Sequence, residues 1–101
     1  MFTIEEFNDL KMKEKELSDR ITIIDKEMHE AWEKYYRNRA KYQRFLKRKY
    51  PTIKLSPFTA HPHTSHVLCR TLEDKIDKKA RLQHNLDDIQ YLIKTIEEGN
   101  Y

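Results

Sequence analysis

Apolar residues recur along the first half of the chain in alternating steps of three and four. One register is Phe7, Glu14, Ile21, Met28, Tyr35 and Tyr42, and its companion is Leu10, Leu17, Ile24, Ala31, Asn38 and Phe45. Only Glu14 and Asn38 break the pattern. A sustained alternation of this kind is the seam of a coiled coil. Thr3 and Glu6 have capping-box spacing, and Glu5 and Glu6 suit the positive end of a helix dipole. Pro51 disfavours helical geometry at Tyr50, so the pattern predicts a first helix over 3–49. Glu16–Arg20, Glu30–Lys34 and Glu33–Arg37 are expected to pair along its surface.

A second apolar pattern begins after residue 70. Thr71 stands before Leu72, Glu73 and Asp74, a hydroxyl cap followed by acids. The expected seam is Leu72, Ile76 and Ala80, then Leu82, Leu86, Ile89, Ile93 and Ile96. Gly99 and Asn100 supply a stop. The second helix is therefore predicted over 71–98, with a loop over 50–70. Pro51, Pro57 and Pro62 all fall in that loop, and Gly99 is the only glycine of the chain. The pattern describes one all-α domain over 1–101, a long antiparallel helical hairpin resembling a coiled coil, with a basic loop of about 20 residues bearing its prolines and histidines.

Helix length then bears on assembly. The first helix would run roughly 70 Å and the second, of about 28 residues, roughly 42 Å. A second helix folding back from residue 70 reaches only about Ser18. Phe7, Leu10 and Leu17 would then lack an internal partner, so a homo-oligomer joined through the helix seams is expected, a dimer by default.

Composition changes this picture in two respects. Hydrophobic residues make up 38% of the 101 and charged residues 37%, with a mean hydropathy of −0.97. Long helices with a narrow seam tolerate that balance, whereas a compact globule usually carries more apolar residues. The formal charge of +3 conceals an asymmetry: residues 1–32 carry −4, residues 33–70 carry +9 and residues 71–101 carry −2. No apolar run approaches the ~20 residues that span a bilayer. Cys69 is the single cysteine, which excludes an internal disulfide. A soluble, cytoplasmic protein without a targeting segment is expected.

Candidate chemistry concentrates in the basic middle. Lys34, Arg37, Arg39, Lys41, Arg44, Lys47 and Arg48 are interleaved with Trp32, Tyr35, Tyr36, Tyr42 and Tyr50. His61, His63 and Arg70 follow. Cations neutralise phosphates, and flat rings stack on bases. These residues are the expected ligand site for nucleic acid or a phosphorylated small molecule such as a nucleotide. On the seam, Tyr35, Tyr42 and Phe45 are expected to be core rather than stacking surfaces. The alternative is a small adaptor or inhibitor, of the sort a phage or mobile element encodes, which sets its basic loop against an acidic surface of a host protein.

His61, His63, His66 and Cys69 have donor types suited to zinc, but no second donor pair stands at a distance to close a site. No metal or other cofactor is expected. Ser65 or Cys69 beside a histidine is too little for a nucleophile, because no carboxylate lies between Lys34 and Thr71 to orient a base. There is neither a glycine-rich phosphate loop nor a nucleophile elbow. The expectation is a binding protein and not an enzyme.

Overall fold

The computed structural model describes residues 3–99. Among them there are two helices and no strand: α1 over Ile4–Lys49 and α2 over Pro62–Glu97. The chain forms two compact units. Unit 1 joins Met1–Asp25 to Ile76–Tyr101, and unit 2 is the continuous segment Lys26–Lys75. In each, a stretch of α1 packs against an antiparallel stretch of α2, the pairing expected of a helical hairpin.

The start of α1 follows its cap. The Glu6 amide donates to Thr3 Oγ1 at 3.1 Å, and the Phe7 amide donates to the Thr3 carbonyl at 3.0 Å. Glu16 and Arg20 pair at 2.8 Å as expected. Glu30–Lys34 and Glu33–Arg37 do not pair; Glu33 meets His29 Nε2 at 3.0 Å instead. At the far end of α2, the Gly99 amide donates to the Ile96 carbonyl, with Gly99 at φ +75°. That left-handed stop is the role expected of this glycine. Its expected companion Asn100 lies outside the described residues.

The start of α2 corrects the sequence reading. The expected loop over 50–70 is a connector over 50–61, because residues 62–70 are helical. Pro62 occupies the first helical position, where its fixed φ fits and its missing N–H costs nothing. His61 is the cap: its Nδ1 accepts from the His63 amide at 3.1 Å, and its carbonyl accepts from the Ser65 amide at 3.2 Å. Thr71 is not a cap. It lies inside the helix, its hydroxyl donating to the Val67 carbonyl at 2.8 Å.

This longer α2 removes the argument for unpartnered seam residues. In unit 1 it reaches back far enough for Glu97 to pair with Lys11 at 3.1 Å. Phe7, Leu10, Glu14 and Leu17 are all partly covered. The core of this unit is Ile21, Ile24, Leu86 and Ile93, each buried. Burying such a side chain stabilises by roughly 1.5–3 kcal/mol.

The α2 seam is also corrected. Ile76 is 57% exposed and Ala80 is exposed, while Lys75 and Lys79 take the covered positions. In unit 2 the seam runs Leu68, Leu72, Lys75; in unit 1 it runs Lys79, Leu82, Leu86, Ile89, Ile93, Ile96. Each lysine lays its aliphatic stem along the seam and brings its ammonium to a carboxylate. Lys79 meets Asp25 at 2.6 Å in unit 1, and Lys75 meets Glu27 in unit 2.

The partly covered face of α1 in unit 2 includes Met28, Ala31, Tyr35, Asn38, Tyr42 and Leu46. Met28 and Leu46 are 18 residues apart, about five turns at 3.6 residues per turn. A strict heptad repeat drifts about 20° per heptad on a straight helix. The drift moves the face forward by one position, so Leu46 replaces the expected Phe45, which is 48% exposed.

Candidate nucleic-acid interface

Unit 2 carries the basic segment, with twelve Lys/Arg and five Asp/Glu within Lys26–Lys75, a formal charge of +7. The helical order of α1 sorts these cations. Lys34, Arg37, Lys41, Arg44 and Arg48 follow in steps of three and four, so they share one face within about 80° of arc. The stripe is about 21 Å long at 1.5 Å per residue. All five are exposed, and none makes an ion pair among the described residues. Phe45 belongs to the same face, about 40° from Lys41 and 60° from Arg48. The Lys49 ammonium lies 5.8 Å from the centre of its ring.

The other expected site residues divide among different roles. Arg39 is turned away from the stripe and its guanidinium sits over Tyr36 at 5.0 Å and Tyr35 at 5.6 Å. Trp32 stacks on Tyr36 with ring centres 5.7 Å apart and meets Tyr35 edge-on at 5.8 Å. Arg39 therefore caps an aromatic cluster on the far side of α1. Lys47 is exposed beside the stripe rather than on it, and Arg70 is exposed on α2.

His61 is committed twice, as the cap of α2 and as the edge partner of Tyr42, with ring centres 5.4 Å apart. His63 lines a cavity of about 430 Å³ between the α1 and α2 stretches of unit 2, together with Lys34, Tyr35, Glu27, Glu30 and Lys75. That cavity separates the two classes of anion. A small phosphate entering it would face Glu27 and Glu30, and Lys75 is already paired with Glu27. From Lys34 to Arg48 the stripe itself holds no carboxylate, although Glu30 and Glu33 stand on the same side of α1 just before it.

The zinc-type alternative is not assembled. His63, His66 and Cys69 stand three residues apart on α2, which spreads them over about 120° of arc. His61 Nδ1 is occupied by the His63 amide. Among the described residues no three His, Cys, Asp or Glu side chains converge as a metal site. No described helix is long and apolar enough to cross a membrane.

One residue escaped the sequence reading altogether. Gln43 Nε2 donates to the Pro57 carbonyl at 3.0 Å and to the Thr59 carbonyl at 2.9 Å. Its two amide hydrogens thus grip the connector on either side of Phe58. The Phe58 amide donates to Ser56 Oγ at 3.2 Å, and the Thr59 amide donates to the Ser56 carbonyl at 3.1 Å. The Phe58 ring is left 78% exposed. The basic stripe, by contrast, was written in the spacing of its residues. No family model matches the chain, and the comparisons with curated proteins and with solved structures found no match.

Proposed function

We propose that this protein is a non-enzymatic binding protein that holds an extended polyanion, the phosphate backbone of a nucleic acid, along the exposed face of α1 in unit 2. The observation that carries this reading is the stripe Lys34, Arg37, Lys41, Arg44, Arg48. Five like charges on one face destabilise an isolated helix slightly, by a few tenths of a kcal/mol per adjacent pair. A line of phosphates relieves that repulsion and releases its own counterions on binding. A linear, open array of cations matches a chain of phosphates better than a single one. The acid-lined cavity beside Lys34 argues against a nucleotide-sized ligand in that place. Titration of labelled oligonucleotides at several salt concentrations tests the reading. Binding that is absent, or that does not weaken with salt, would remove it.

The aromatic cluster favours a second reading. Trp32, Tyr36 and Arg39 lie on the side of α1 turned away from the stripe, and Trp, Tyr and Arg dominate the energetic centres of protein interfaces. An adaptor or inhibitor would set this side, and its positive charge, on an acidic protein. A stoichiometric complex that survives nuclease and is lost in Trp32→Ala with Tyr36→Ala would favour it over the first.

Self-association is a separate part of the proposal. Unit 1 has a shallow groove of about 380 Å³ lined by Ile23, Ile24 and Leu82 with the stems of Arg20 and Arg81. A second copy seated there would cover Ile23, giving a dimer. Sedimentation equilibrium of the protein and of Ile23→Lys tests it. A monomer at all concentrations for both chains would reject the dimer.

A further inference from the structure

We infer that the polyanion is single-stranded, and that Phe45 is the residue that stacks on an unpaired base. This rests on the reading of the α1 stripe as a phosphate-binding face.

The seam has no use for Phe45. Its place on the seam is taken by the half-buried Leu46, and Phe45 is 48% exposed on the side of α1 that carries the cations. Its helical neighbours at three and four residues are Lys41, Tyr42, Arg48 and Lys49. Three of these four are cations, so the ring stands among positive charges. Lys49 approaches it at 5.8 Å, and no other ring contacts it among the described residues. A partner that complements this spot is anionic and presents a flat apolar face within one residue's reach of the charge. A duplex hides its base faces in the stack and offers only phosphates and groove edges. A single strand offers both, with each base free to leave the stack and lie on an aromatic ring.

The geometry of the stripe agrees. Lys41, Arg44 and Arg48 are reached by adjacent phosphates of a strand whose intervening base turns toward Phe45. Sequence preference is then weak, because every base has a face to stack.

The test uses the full-length protein with a fluorescein-labelled (dT)20 strand and a 20-base-pair duplex, at the same salt concentration. The wild type is expected to bind the single strand more tightly. Phe45→Ala is expected to weaken single-strand binding about 5- to 150-fold, the range of one lost base stack, and to leave duplex binding within about twofold. Its salt slope should remain that of the wild type, because no cation is removed. Phe45→Trp should retain single-strand affinity. Phe58→Ala, which removes an exposed ring that is not on the stripe, should change neither. Circular dichroism of each variant establishes that the helices persist.

Equal binding of strand and duplex, or a Phe45→Ala loss shared by both, would overturn this inference while leaving the polyanion reading intact. Failure of both nucleic acids to bind would overturn the two together, and would turn attention to an acidic protein.

Discussion

The basic stripe allows a quantitative salt prediction. For single strands, the logarithm of the binding constant falls with the logarithm of salt concentration at a slope of about −0.7 per phosphate neutralised. If Lys34, Arg37, Lys41, Arg44 and Arg48 each neutralise one phosphate, the slope is about −3.5. Between 50 and 200 mM salt the affinity then falls about 130-fold. Replacing Lys41 and Arg44 with Gln removes two contacts while preserving helix propensity. The slope becomes about −2.1, and the loss over the same range shrinks to about 18-fold. Fluorescence anisotropy of a labelled strand, measured at five or so salt concentrations for both proteins, gives the two slopes directly. Arg39→Gln serves as the internal control, since its guanidinium is laid on Tyr35 and Tyr36, away from the stripe. Its slope should match the wild type. A double variant with an unchanged slope, or an Arg39→Gln slope reduced as much as the double variant's, would refute the assignment of the stripe.

The fold makes further predictions. His61→Ala should cost about 1 kcal/mol in urea unfolding and fray residues 62–65, whereas His61→Asp should retain the cap and add a favourable charge at the helix start; equal losses for both would exclude His61 as the cap. Leu86→Ala should destabilise by about 2–5 kcal/mol, because Leu86 is buried in the seam of unit 1, and a change under about 0.5 kcal/mol in the urea midpoint would contradict that packing. Lys79→Leu should be neutral or stabilising in the same measurement, because an apolar residue suits the seam better than a half-exposed ion pair; a loss above about 1 kcal/mol would show that the pair with Asp25 carries more. Gln43→Ala should speed amide exchange at Phe58 and Thr59, seen by NMR, while amides at the centre of α1 keep their protection.

Much of α1 was legible in the sequence because its apolar spacing is regular and its cap lies at the expected offset. Glu14 and Asn38 hold the seam positions that the register assigned them, although both are polar. The register slipped only at Phe45, where a heptad count parts company with a helix of 3.6 residues per turn. The beginning of α2 was hidden for a different reason. Pro and His suggest a loop, yet proline is favoured at a helix's first position and the imidazole caps as an asparagine would. Its seam was hidden because Lys75 and Lys79 look like surface residues, while Ile76 looks like core. The signal that was there is the spacing: the steps of three and four through Leu82, Leu86, Ile89, Ile93 and Ile96, carried back, fall on Lys79 and Lys75 rather than on Ala80 and Ile76. The basic site was legible as a composition, and its order on α1 as a spacing. The grip of Gln43 on the connector was not, since it joins residues 14 and 16 positions apart through main-chain carbonyls.

The two seam lysines also bear on how the helices choose their alignment. An apolar repeat of seven residues is nearly indifferent to a slip of seven, because leucine simply replaces leucine or isoleucine. In unit 1, such a slip of α2 would bring Leu72 or Leu86 opposite Asp25. It would carry the Lys79 ammonium to a place that now receives an aliphatic side chain. A lysine there loses its carboxylate partner and must turn its ammonium back to water, which a mismatched methyl need not do. Lys79 with Asp25, and within unit 2 Lys75 with Glu27, thus favour one alignment over its neighbours. Their worth lies less in the energy they add to the correct pairing than in the energy they withhold from the wrong ones.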